Sequence, residues 1–444
     1  MITAPICEFV RRYQYSGALR MHMPGHKGTA LLGPEPLDLT EIEGADVLYH
    51  AEGIIRESEA NAAALFGTKK TVYSAEGSSL CIRAMLYLAL LHARANHKKP
   101  VIAAGRNAHK VFMTAAALLD LDIRWIYGTE SVISCAITPA QLEDVIVSEN
   151  PAAVYITSPD YLGNIADIKS LSTVCKKHGV LLLVDNAHGA YLHFLPEPMH
   201  PMQLGADICC DSAHKTLPVL TGGAYLHIAH GTPDMFAQRA ESAMALFAST
   251  SPSYLILQSL DAMNPLLATS FPAQLKACAE RLDTLKAKLR AHGYALCGEE
   301  RTKLCLLPKS FGYTGTALAE ILTHHNIYCE FSDADHLVMM FTPETTPADF
   351  ARLERALLSV LPAPVILSKP PVPPHAERVL SPREALFSPS ETLPLSECKN
   401  RILADANVSC PPAVPLAVCG ERLTPEVISA MEYYGTEHCT VVVE

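Results

Sequence analysis

The run Ser212-Ala213-His214-Lys215-Thr216 places its lysine 30 residues beyond Asp185, which closes the apolar run Val180–Val184. That spacing suits one or two strand–helix steps of an α/β sheet. A lysine next to a histidine at the mouth of such a sheet, with a carboxylate closing a neighbouring strand, points to pyridoxal phosphate. The cofactor needs an amine to hold its aldehyde as a Schiff base and an acid to keep its pyridine nitrogen protonated. Lys215 and Asp185 supply the two. The apolar flank Thr216–Val219 keeps the lysine partly dry, and so nucleophilic near neutral pH.

Outward from this run, apolar segments at Val101–Ala104, Ile123–Tyr127, Ala153–Thr157, Leu181–Val184, Asp207–Cys210 and Ala224–Ile228 read as strands. Helical patterns at Leu80–Ala95 and Ile168–His178 separate several of them, which implies a mostly parallel sheet with sites at the carboxyl ends of its strands. Residues 1–60 carry Pro24, Gly25, Gly28, Gly33, Pro34 and Pro36 and read as an irregular N-terminal arm. The expected large domain spans 61–270. A helix at Gln274–His292, strands at Leu304–Leu307 and Leu337–Phe341 and a helix near Ala348–Val360 make a smaller α/β domain over 271–362. A proline-rich linker over 363–376 leads to a C-terminal unit, 377–444. No internal repeat is visible.

The 444 residues carry a net charge of −11, and the sequence pI is about 5.9, which argues against nucleic acid or an anionic membrane as the main partner. The 49% hydrophobic content fits a compact globular protein. The 14 cysteines include one adjacent pair, Cys209-Cys210, and no CxxC, a pattern of reduced thiols in a cytoplasmic protein rather than a disulfide framework or metal site. The N-terminus lacks the apolar core of a signal peptide, and the longest apolar run, Ala84–Leu91, is too short to span a bilayer.

The segment Asp211–Ala224 (DSAHKTLPVLTGGA) resembles the cofactor-lysine site of the ornithine/lysine/arginine decarboxylases, which are fold-type-I enzymes of pyridoxal phosphate. Met23–Gly28 (MPGHKG), Asp38–Glu59, Thr250–Leu255 (TSPSYL) and Pro411–Leu423 (PPAVPLAVCGERL) resemble further segments of that family. The resemblance implies a fold-type-I α/β large domain with a mostly parallel sheet, a smaller α/β domain and a C-terminal α+β unit. It resembles a short form without an N-terminal receiver-like domain. The implied activity is decarboxylation of a basic amino acid (arginine, lysine or ornithine) in polyamine metabolism. The implied assembly is a homodimer with shared active sites, to which Met23–Gly28 and Thr250–Tyr254 would reach across. Another reaction on the same fold, such as transamination or carbon–carbon cleavage, is the alternative.

Within the resemblance, Lys215 is the Schiff-base lysine and Asp185 the partner of the pyridinium. Ser78 and Ser79, in Ala75-Glu76-Gly77-Ser78-Ser79 before a long helix, form an anion site suited to the cofactor phosphate. His109 stacks on the ring, Ser158 lines the cofactor, and Ser212 and His214 lie on its phosphate side. His188 is either part of the pocket or a structural histidine. Either Lys215 or His214 returns the proton after carbon dioxide leaves. Glu421, the acid of the C-terminal motif, is a candidate for a cationic substrate head group. The chain departs from the family pattern at Gly222 (a Gln is expected), Lys399 (Gly), Cys410 (Tyr) and Ala413 (Gly).

Overall fold

In a computed structural model, the structure describes residues 2–128, 136–372, 375–409 and 415–443, and the side chains of 407–409 are not described. Pro373, Pro374, Cys410, Pro411, Pro412 and Ala413 therefore lie outside the described residues. The chain forms two compact units, Met1–Lys99 with Ile168–Ala273, and Pro100–Asp167 with Gln274–Glu444.

Seven strands alternate with helices: β1 Lys70–Ser74, β2 Val101–Gly105, β3 Asp122–Ile126, β4 Ala153–Thr157, β5 Leu181–Asp185, β6 Ile208–Asp211 and β7 Ala224–Ile228. In the first unit they run in the order β1-β7-β6-β5. β5 and β6 are parallel, with Asp185 opposite Cys210, and β7 is antiparallel to both β6 and β1. In the second unit β2 is parallel to β3 and to β4. The alternation read from the apolar runs is thus present, and α/β with mostly parallel pairing is the fold class.

The helix Gly77–Ala95 packs on β7 and β6 and on the helix Asp234–Ala245. Leu80, Met85, Leu88 and Ala89 are fully buried, while Arg83, Tyr87, Leu91 and Arg94 line its more exposed side, so a broad apolar face holds the helix against the sheet. Among the described residues no helix is long and apolar enough to cross a membrane.

The first 60 residues differ from the irregular arm expected of them. Pro5–Tyr15 is a helix, and a second begins at Ile54 and runs to Phe66. Pro5 opens the first helix where a missing N–H is harmless, and Ile6 and Val10, one turn apart, are its fully buried stripe. That stripe packs on Ile54–Phe66 and on Tyr254–Ala268. Asp46 joins the region: its carboxylate accepts the backbone N–H groups of Val47, Glu52, Gly53 and Ile55. Burial opposes its charge, but these bonds outweigh it and hold the carboxyl below its ordinary value.

In the second unit β8 Ala295–Cys297, β9 Lys303–Leu307, β10 Phe331–Ser332 and β11 Leu337–Met340 form an antiparallel sheet in the order β10-β11-β9-β8. Its apolar face closes on Leu282, Leu285 and Leu289, on Leu318 and Leu322, and on Leu353 and Leu357. The C-terminal strands β12 Ser390–Pro394, β13 Asn407–Ser409, β14 Pro415–Val418 and β15 His438–Val442 pair as β12–β15 and β13–β14. Leu403, Leu416, Leu423, Val427, Met431 and Val441 form their core with the helix Pro425–Tyr433.

Candidate functional site

Because β5 and β6 are parallel neighbours, the chain leaves both at the same edge, the place where open α/β sheets hold ligands. Asp185 ends β5 at 2% exposure; its Oδ1 accepts the Ala187 N–H at 3.2 Å and the Cys210 thiol at 3.6 Å. The short helix after β6, Ala213–Thr216, carries His214 and Lys215. Lys215 Nζ lies 3.2 Å from His188 Nε2, so the loop after β5 meets the lysine directly. Of the two settings open to His188 in the sequence, the structure puts it beside Lys215. His214 is fixed differently: its backbone N–H and its Nδ1 both approach the Gly223 carbonyl, at 3.1 and 3.0 Å. With Nδ1 donating, Nε2 is left as the acceptor nitrogen.

Ser78 and Ser79 occupy the first turn of Gly77–Ala95, where backbone N–H groups lack helical partners. The Ser212 hydroxyl donates to Ser78 Oγ at 2.6 Å, joining two segments 134 residues apart that the sequence had assigned to one phosphate. Gly77 N–H donates to the Gly222 carbonyl at 2.7 Å. Gly222 has φ +101°, and a Cβ there would stand 2.9 Å from the Ala75 carbonyl oxygen. In this chain, then, the departure from Gln lets the lysine loop lie backbone to backbone against the serine turn.

Asp211, the last residue of β6, was given no role of its own in the sequence. It is fully buried and accepts Asn186 Nδ2 at 2.7 Å, His200 Nε2 at 2.9 Å and His227 Nε2 at 3.2 Å. Burial opposes its ionisation, yet the two histidines and their hydrogen bonds hold its carboxyl well below the usual range. The far nitrogen of His227 pairs with Thr71 Oγ1 on β1 at 2.9 Å. Asn186 follows Asp185 and Asp211 precedes Ser212, so this one carboxylate ties together the two loops that carry the site.

His109, Ser158 and Glu421 belong to the second unit. His109 caps the helix Lys110–Leu119, its Nδ1 accepting the Val111 N–H at 3.2 Å, and its ring is exposed. Ser158 is buried beyond β4, and its hydroxyl accepts the Ala166 N–H at 3.0 Å. Glu421 is not the open carboxylate expected for a substrate cation. Its two oxygens accept Arg106 Nη1 and Nη2 at 2.7 and 2.8 Å, one of them also takes the Val418 N–H, and the residue is 1% exposed. Its charge is matched by Arg106, whose guanidinium lies 4.9 Å from the Trp125 ring centre and 5.7 Å from that of Tyr127. Arg106 carries no signal in the sequence beyond its place at the end of β2.

The first unit alone thus offers a lysine amine paired with an imidazole, a buried carboxylate on the adjacent strand, and a hydroxyl pair at a helix N-terminus beside a glycine that only backbone can approach. An aldehyde, a protonatable ring nitrogen and a phosphate are the groups that such a donor set fits.

Comparison with known proteins agrees with that set. Residues 4–296 match the family model described as "Orn/Lys/Arg decarboxylase, major domain". An arginine decarboxylase of Bacillus subtilis is 31% identical over 463 aligned positions, covering 96% of this chain and 92% of that protein. An arginine decarboxylase of Halalkalibacterium halodurans is 28% identical, covering 95% and 91%. Among solved structures, the Francisella novicida lysine decarboxylase superposes with a TM-score of 0.80 at 16% identity, over 100% of this chain and 81% of that one. The Escherichia coli constitutive lysine decarboxylase gives 0.78 at 17% identity, over 100% and 82%.

Proposed function

The chain belongs to the Orn/Lys/Arg decarboxylase family, and on that premise we propose that arginine is the amino acid it decarboxylates. It is an enzyme, an amino-acid decarboxylase, and pyridoxal phosphate is its cofactor. The observation that carries the choice of arginine is the near full-length likeness to the Bacillus subtilis arginine decarboxylase.

Bound here, pyridoxal phosphate supplies an electron sink for the pair left when the carboxylate–Cα bond breaks. In the proposed roles, Lys215 holds the aldehyde and Asp185 keeps the ring nitrogen protonated. Low solvent access at Asp185 strengthens that charge pairing. Ser78, Ser79 and Ser212 bind the phosphate at the helix N-terminus. His188 shares a hydrogen bond with the Lys215 amine and is suited to hold its proton. His214, with Nδ1 committed to the Gly223 carbonyl, keeps Nε2 for proton exchange. Lys215 or His214 returns the proton to Cα after carbon dioxide leaves. Glu421 fixes Arg106 rather than meeting the head group.

The proposed working unit is a homodimer. Leu19, Met21, Met23, Leu31 and Leu32 cluster in one N-terminal segment and are all highly exposed, apolar surface of the kind a partner covers. A cytoplasmic setting agrees with twelve free thiols among the described residues. The product would be an amine of the polyamine-precursor kind.

The substrate is tested by kcat/KM for arginine, lysine, ornithine and norleucine, with amine and carbon dioxide measured together. Arginine should exceed lysine and ornithine by at least tenfold. Preference for another of the four, or a keto acid as product, would overturn the assignment.

A further inference from the structure

Cys297 on β8 and Cys305 on β9 are directly opposed residues of an antiparallel pair, so their side chains leave the same face of the sheet. Their sulfurs lie 3.1 Å apart and share a hydrogen bond. Opposed residues in antiparallel strands have Cα atoms about 4.5–5.5 Å apart, inside the roughly 4.4–6.8 Å window that a disulfide spans. From this juxtaposition we propose that Cys297 and Cys305 are a reversible thiol–disulfide pair that stitches the β8–β9 hairpin.

The two thiols are not equivalent. Cys305 is 1% exposed and sits in an apolar cluster with Leu162 and Val338, whereas Cys297 is only partly buried at its edge. The contact with Cys305 favours the thiolate at Cys297 over the opposing effect of burial. The same contact, with burial, pushes the Cys305 thiol up. Cys297, the more accessible of the two, is the attacking sulfur and Cys305 the resolving one. With a low-molecular-weight disulfide RSSR as oxidant, the Cys297 thiolate attacks one sulfur, the RS–SR bond breaks and RS⁻ leaves. Cys305 then gives up its proton, displaces the second RS⁻ and forms the Cys297–Cys305 bond. Two protein thiols are oxidised and one RSSR is reduced to two thiols.

The stitch lies where it can be felt. Within the hairpin turn, the Glu299 and Glu300 N–H groups both donate to the Gly163 carbonyl, at 2.8 and 2.9 Å. Lys303 Nζ, paired with Glu300 at 2.9 Å, donates to the Asp160 carbonyl at 3.2 Å. Gly298, at φ +80°, packs so closely on Leu162 that a Cβ would stand 2.2 Å from its carbonyl oxygen. The turn thus clamps the loop that follows Ser158, and closing the disulfide fixes the clamp.

The test uses the full chain, reduced, desalted and then exposed to excess oxidised glutathione before free thiols are alkylated. Trypsin cuts after Arg290, Arg301, Lys303 and Lys309, so the two cysteines fall on separate peptides. The expected product is 291–301 joined to 304–309, two hydrogens lighter than the sum and lost on reduction. It should be absent from Cys297→Ser and Cys305→Ser, each melting within a few degrees of the parent, so that misfolding does not explain the loss. Recovery of the two peptides separately, whether alkylated or carrying only glutathione, would overturn the proposal.

Discussion

Replacing Glu421 with Gln should destabilise the second unit by about 3 kcal/mol, a figure built from the geometry of one ion pair. Arg106 and Glu421 are 4% and 1% exposed at their side chains and joined by two parallel charge-assisted bonds. Removing one member of such a buried pair costs roughly 3–5 kcal/mol, because the survivor's charge stays desolvated. Two features move this case to the low end. Gln keeps an oxygen for the Val418 N–H, and the Trp125 and Tyr127 rings continue to face the stranded guanidinium, worth about 0.5–2 kcal/mol. Arg106→Met is expected to cost more, about 4–5 kcal/mol, since Glu421 would retain only the Val418 N–H among these partners. The double variant Arg106→Met with Glu421→Leu should recover at least half of the larger loss. Urea unfolding at fixed pH and cofactor concentration gives the cycle. Single variants that each lose less than about 1 kcal/mol, or a double variant showing plain additivity, would refute the reasoning.

Asp185→Asn should retain cofactor in part but lower turnover on the order of 10³-fold, equivalent to about 4 kcal/mol of barrier; near-parental kcat would show that another group serves the ring nitrogen. Glu59 is 5% exposed, accepts the Tyr73 N–H, and is pushed up to about 8 by burial. Folding then favours its protonated form, so its contribution to stability falls as pH rises from the unfolded value of 4.5 towards about 8. Glu59→Gln should flatten that decline and raise the melting temperature at pH 8 more than at pH 5; an equal shift at both would contradict it.

The sheet, and the places of Lys215 and Asp185 at its edge, were legible because several constraints coincide locally: a strand is a short apolar run, and Lys215 and Asp185 each follow one. Ile168–His178 was readable to the residue for the same reason, its apolar stripe matching one helix face. The helix Pro5–Tyr15 was not, because only Ile6 and Val10 are fully buried among polar and exposed neighbours. β1, Lys70–Ser74, was equally hidden: its strand character comes from pairing with β7, and Thr71 and Ser74 are polar yet buried there. Glu421 looked like an open acid because nothing local announces its partner, which lies 315 residues away. Asp211 shows the same limit, since its donors come from three separate segments. Long-range polar pairing leaves no periodicity in a sequence, whereas apolar faces do.

Borohydride reduction of the purified, cofactor-loaded protein, followed by peptide mass mapping, tests the central claim most directly. The cofactor should be trapped as a stable adduct on Lys215, in near-stoichiometric yield, with loss of visible absorbance and of arginine decarboxylation in step. Lys215→Ala should give no adduct and no turnover. Trapping on any other lysine, or full activity after Lys215 has been modified, would contradict the account.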